Sequence, residues 1–516
     1  MNKELSDHAM VLALELLNQY EEHISAISVL EQILPSRFRG AIATSPLFSG
    51  LHCASFFGIV ELVTVLINNE GCEADRQDCI SRTPLSWAAR NGHEGVVKIL
   101  LEWKSVDPNL PGTDGNGPLG RAAIKGHEGV VKLLLERENV DPNRRNKHGR
   151  TPLVCAAMEG HEGVVKLLLE REDVDPNLPD TDGDGPLGCA AINGHEGVVK
   201  LLLQREDIDP NLLDTDGDGP LGCAAIEGHE GVVKILLGLG NVDPNRRNKN
   251  DRTPLGCAAL KGHEGVVKLL LEREDIDPNL PDMDGNGPLG CAAIKGHEGV
   301  VKLLLEREDV SPNLPDTDGD GPLGCAAIEG HEGVVKILLG LGNVDPNRRN
   351  KNDRTPLGCA ALKGHEGVVK LLLEREDIDP NLPDVNGNGP LGRAAIKGHE
   401  GVVKLLLERE NVDPNRRNKS GRTPLVCAAI EGHEEVVKLL LQREDIDPNR
   451  TDKHGGTPLS HATTKRHERI VQLLHARKSV EPPDVETPSV ETPSAGARRE
   501  RRRDVWKRRL LFVGKN

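Results

Sequence analysis

One spacing governs this chain. Proline followed by leucine recurs with its proline at 84, 118, 152, 186, 220, 254, 288, 322, 356, 390, 424 and 458, a constant step of 34 residues. Gly50-Leu51-His52-Cys53-Ala54 falls in the same register one step earlier, giving thirteen units. A fixed period of this size is the mark of a solenoid, in which each short unit buries its apolar face only against its neighbours. Composition points the same way. Aromatic residues are 2 % of the 516, too few for one thick core, so Leu, Val, Ile and Ala must fill many thin layers.

Every unit has the same parts. In residues 244–279, Thr253 is suited to cap a helix and Pro254 to occupy its first turn. A short helix through Leu255, Ala258 and Ala259 is expected to end at Gly262, which can take a left-handed conformation. His263 opens a second helix with Val266, Val267, Leu270 and Leu271 on one face. Asp277, Pro278 and Asn279 end it and lead into a hairpin-like loop rich in Asn, Asp and Gly.

The run TPLxxAAxxGHxxVVKLLL, seen at 253–271, resembles the ankyrin repeat, and the resemblance spans residues 46–478. It implies an all-α solenoid of helix–loop–helix pairs with protruding β-hairpin-like fingers and a concave face that binds proteins. Three departures stand out. The histidine of TPLH survives only as His52 and is elsewhere mostly Gly, as at Gly188, Gly222 and Gly256; Thr before Pro is often Gly, as at Gly117, Gly185 and Gly219. The loop also carries one residue more than the usual repeat. Helical glycine costs about 0.5–1 kcal/mol against Ala, so a softer first helix is expected. Residues 214–282 recur identically at 316–384, and 115–147 at 387–419, which indicates block duplication. Such arrays resemble filamentous-fungal ankyrin arrays that are sometimes fused to NACHT domains; the GxxxxGK[ST] phosphate loop of such a domain is absent from this sequence.

Three domains are expected: an N-terminal helical cap or linker at 1–45, the array at 46–478, and a Pro-rich and basic disordered tail at 479–516. The tail holds nine Lys or Arg from Arg498 onward. A solvated tail, a nuclear-import or anion-binding patch, and a surface anchored by Trp506, Leu510, Leu511 and Phe512 are its three readings. The net charge of −16 argues against general affinity for nucleic acid. No apolar run reaches the ~20 residues of a membrane span, and the start lacks a secretory signal pattern. Cytoplasm or nucleus is the expected compartment.

Apparent chemistry dissolves on inspection. Eight cysteines from Cys155 to Cys427 share one slot in the first helix, but layers ~8–10 Å apart cannot bring them to disulfide or zinc geometry; they are expected to be small core residues. Eleven Gly-His-Glu triplets place Val, not His, four residues after the histidine, unlike HExxH; that histidine is expected to bond backbone near the helix start. DTDGDG at 180–185, 214–219 and 316–321 imitates a calcium loop, yet the twelfth position from Asp180 is Ala191, not a bidentate acid. No catalytic residue, cofactor or metal is expected.

The fingers carry the variation. Basic ones present Arg144, Arg145 and Lys147; Arg246, Arg247 and Lys249; Arg348, Arg349 and Lys351; Arg416, Arg417 and Lys419. Acidic ones present Asp182 and Asp184; Asp216 and Asp218; Asp318 and Asp320. The pattern reads either as duplication history or as a charge-patterned docking face. No Phe, Tyr or Trp lies between Lys104 and Val505, which removes the platforms that stack single-stranded nucleic acid. The expected function is a non-catalytic, monomeric array for one or more protein partners, with Arg as the anchor. The alternative is a nuclear, nucleic-acid-associated protein using the tail and basic fingers.

Overall fold

The computed structural model describes residues 48–68 and 72–478. The expected cap or linker at 1–45 and the tail at 479–516 lie outside the described residues. Among these, 26 helices and no strand form thirteen antiparallel pairs, from α1 (Gly50–Phe57) and α2 (Val60–Ile67) to α25 (Pro458–Lys465) and α26 (Glu468–Lys478). Each pair is one layer. Odd-numbered helices pack on the next odd helix and even-numbered ones on the next even helix, so a single core runs through the stack.

Local chemistry explains why each layer looks alike. In α13 (Pro254–Lys261) the Thr253 hydroxyl accepts from Gly256 N at 3.1 Å, and Pro254 sits in the first turn, where its missing N–H leaves no broken bond. Gly262 ends the helix at φ +85. The adjacent Ala258 and Ala259 are fully buried and let successive odd helices approach closely; Val266, Val267 and Leu270 of α14 (Glu264–Leu271) seal the layer from the other side. The glycine N-caps behave differently. Gly185 and Gly219 hold the same extended backbone as the threonines but offer no side-chain cap. The first helices nonetheless form in every layer, so their order comes from packing between neighbours and not from capping.

Four kinds of tie join the layers. His161 Nε2 meets Ile124 O at 3.1 Å, and the same contact recurs from His93 to His467. The histidine does bond backbone, but at the end of the preceding layer's first helix and not at its own helix start as expected. Asn177 Nδ2 donates to Asp207 O at 2.7 Å, while its Oδ1 accepts from Asp209 N at 2.8 Å, forming an asparagine ladder. Arg171 is clamped by Asp173 and donates Nη1 to Leu135 O at 2.8 Å. Finally, each fingertip donates a backbone N–H to the preceding one, such as Thr215 N to Asp182 O at 2.7 Å and Lys249 N to Asp216 O at 2.8 Å.

This set is not complete in every layer. After α12 (Glu230–Leu237) and α18 (Glu332–Leu339) the chain reads GLGN, so Leu239 and Leu341 stand where six layers have the clamped arginine; Arg137 and Arg409, followed by Asn139 and Asn411, also lack the aspartate of the clamp. Fewer ties mean lower local opening free energy. Amide exchange at Gly238–Asn241 and Gly340–Asn343, whose peptides share one sequence and are read together, is expected to be faster than at Glu264–Glu272. Equal protection in both places would refute the weak-layer reading.

Candidate interaction surface

Fingers are built on an Asx turn, save the one that begins at Gly112. Asp180 Oδ1 accepts from Asp182 N at 2.9 Å and Asp184 N at 3.1 Å, and Gly183 takes φ +88 so that the chain can reverse. Asn146 does the same in the basic finger, accepting from His148 N and Arg150 N. One backbone frame thus carries different tips. Side chains at the second and third positions of the turn face solvent, and those at the fifth point down between layers.

That geometry separates the charged residues read from the sequence. Lys147, Lys249, Lys351 and Lys419 are exposed, as are Asp182, Asp216 and Asp318. Most of the arginines are not free anchors. Arg145, Arg247, Arg349 and Arg417 donate Nε to a carbonyl of their own tip and Nη2 to Pro179, Pro281, Pro383 and Thr451 O of the next layer. Arg144, Arg348 and Arg416 are half-buried over the N-cap glycines Gly117, Gly321 and Gly389 of the preceding layer; Arg246 is exposed. Most of these guanidiniums are engaged between layers, whereas Arg246 and the tip lysines are exposed, with Lys249 Nζ donating to Thr215 O at 2.6 Å.

The second aspartates of the acidic fingers turn inward. Asp218 is 7 % exposed and Asp320 6 %. Each accepts from an asparagine of the next finger, Asn248 Nδ2 to Asp218 at 3.0 Å and Asn350 Nδ2 to Asp320 at 2.8 Å. Burial pushes both carboxyls up to about 6 despite those bonds. Asp184 is half-buried and is pushed up to about 7, by burial first and then by Asp214, Asp180 and Asp182.

These inward side chains fill the space beside two of the first-helix glycines. A Cβ at Gly222 would stand 2.7 Å from Asp218 Oδ1, and one at Gly324 2.7 Å from Asp320 Oδ1. Where the fifth turn residue is Arg150, Val154 occupies the same helix position. The same holds for Arg422 and Val426, but Gly256 and Gly358 follow Arg252 and Arg354, and a Cβ there would have the Thr253 and Thr355 hydroxyls as its nearest neighbours, at 3.5 Å.

The cysteine slot has a related role. The cysteines are free and buried as expected, and burial pushes Cys155 and Cys257 up to about 12. Their thiols also meet the base of the finger, Cys223 with Asp214 Oδ2 at 3.8 Å and Cys325 with Asp316 Oδ2 at 3.7 Å. Other occupants of the slot keep this contact: Trp87 Nε1 donates to Asp78 at 2.9 Å, His461 Nε2 meets Asp452 at 2.9 Å, and Arg393 pairs with Asp384. Among the described residues, Asp184, Asp214 and Cys223 form one cluster of ligand-type atoms, all within 4.8 Å of one another.

Beside the fingers, the odd helices present a half-exposed stripe of Ile192, Ile226, Leu260, Ile294, Ile328 and Leu362, each followed by a polar or charged residue in the open. A shallow recess between Ile328, Leu362 and the fingertip residues Asp318 and Asn352 lies on this face. Among the described residues, no helix is long and apolar enough to cross a membrane.

The family model for ankyrin repeats (3 copies) matches residues 51–146, 138–214, 206–282, 274–350, 323–418 and 391–484. No curated protein matches this chain.

Proposed function

This chain belongs to the ankyrin-repeat family, whose repeats are protein–protein interaction modules on a typically non-catalytic fold, and from that premise we propose that it is a recognition array for a protein partner. The partner lies along the fingertip ladder and the apolar stripe of the odd helices. One observation carries the reading: a constant hydrogen-bonded frame displays exposed side chains of changing charge, Lys147, Asp182, Asp216, Lys249, Asp318, Lys351 and Lys419, that, apart from the Lys249 Nζ bond to Thr215 O at 2.6 Å, take little part in holding the layers. Exposed positions that vary on a repeated scaffold are how loops acquire binding specificity.

Rim charges act through long-range attraction and are screened by salt. Partners captured by the full chain at low salt are therefore expected to be released as salt rises. Reversal of the four tip lysines to Glu should weaken the same partner at least tenfold, about 1.4 kcal/mol, without lowering the melting temperature. Affinity that ignores both salt and charge reversal would remove the fingertip surface from consideration. Retention on DNA that disappears when 498–509 are deleted would favour the nuclear, nucleic-acid-associated alternative.

A further inference from the structure

Layers in this array differ in how well they are tied, and one seam is singular. Beneath the tips, the fifth turn residue of each finger faces the first turn residue of the next. From Asn116 to Asp452 these junctions are Arg with Asp, Asp with Asn, or Asn with Asn or Asp, as in Arg150 Nε to Asp180 Oδ2 at 3.0 Å. The exception is Asp184 facing Asp214, two carboxylates. It lies between the layer of α9 (Pro186–Ile192) and α10 (Glu196–Leu202) and that of α11 (Pro220–Glu227) and α12.

The same seam is short of ties elsewhere. Leu239 replaces the clamped arginine, and Asn211 keeps only its bond to Asn241 O at 2.9 Å, having no counterpart of the Asn177 Oδ1 bond to Asp209 N. An internal control exists three layers on. The interface after α16 (Glu298–Leu305) has Leu341 and the same half-rung at Asn313, but its finger junction is Asn286 facing Asp316.

We propose that the α9–α10/α11–α12 interface is a proton-operated seam: one proton shared between Asp184 and Asp214 closes it, and ionisation of both loosens it. The proton forms an O–H on one carboxyl that donates to the other, replacing a like-charge contact with a hydrogen bond. The groups facing this pair are Asp180 and Asp182 of the same finger, Arg150 of the preceding one, Asp216 and Asp218 of the next, and the thiols of Cys189 and Cys223 from the two first helices. Arg150 is held by Asp180, so it leaves the Asp184–Asp214 contact without a cation of its own. Asp184 rises from 3.8 to about 7 in the folded chain. The folded seam therefore binds a proton that the unfolded chain has lost. Its stability falls as pH rises through that window, with the penalty absent below it and complete above it.

Hydrogen exchange of the full chain in EDTA, corrected for intrinsic rates, tests this. Peptides within 186–213 and 288–315 differ in sequence and report the two seams separately. Protection in 186–213 is expected to drop about tenfold from pH 6 to pH 8, the size of one pKa unit, with 288–315 unchanged. Asp184→Asn, which copies the sister junction and should fold as it does, removes the response. Asn286→Asp installs it at the other seam. The same pH response at both seams of the parent chain, or its survival in Asp184→Asn, would overturn the proposal.

Discussion

Leu270→Ala is expected to cost about 2–5 kcal/mol, the usual range for emptying a fully buried leucine site, and to change the form of unfolding as well as its midpoint. Leu270 has no exposed surface and packs within one layer against the layers on either side. Because layers touch only their neighbours, the array is close to one-dimensional, and its stability is a sum of layer and interface terms. A central lesion of this size uncouples the two halves. Urea or thermal denaturation followed by circular dichroism should then show two transitions or a distinctly lower slope. The equivalent truncation Leu474→Ala, in the last helix, leaves one long block intact and only frays the end. A single unaltered transition for Leu270→Ala would contradict this picture of the coupling.

Replacing Gly262 with Ala should be nearly as damaging, about 2–4 kcal/mol. Its φ of +85 is costly for any residue with a Cβ, on the order of 1–3 kcal/mol. The new methyl would also stand 2.7 Å from the His297 ring. The ring must move, which endangers the bond from His297 to Leu260 O at 3.1 Å, about 1 kcal/mol. The opposite sign is expected at Gly240, where an added Cβ meets nothing within 4 Å and φ is not left-handed. There Ala should be neutral or stabilise by up to about 1 kcal/mol, by restricting the unfolded chain. Melting temperatures of the two variants separate these outcomes; a similar loss at both positions would mean that conformational freedom, and not the histidine contact, dominates.

These two glycines show how much was legible in the chain and how much was not. The Gly-His pair recurs in the sequence, and the left-handed helix end follows from glycine alone. That the histidine ring lies over the preceding layer's glycine does not. Its partner is 37 residues away, and only stacking decides which carbonyl it meets. The arginines teach the same lesson. Arg145 reads as an exposed finger cation, yet its guanidinium is taken by carbonyls on two adjacent tips. Glycine at 222 reads as a weak helix, whereas it makes room for Asp218.

The amino-acid sequence by itself determined the architecture: the 34-residue period, the Pro starts, the Gly stops and the paired apolar faces admit one kind of stack. These are local signals, repeated often enough to be unmistakable. Tertiary structure alone decided which charges remain free for a partner, which ones hold layers together, and where two carboxylates meet. Those outcomes depend on contacts between units some 30 residues apart, set by the distance and rotation from one layer to the next, and no local pattern encodes that.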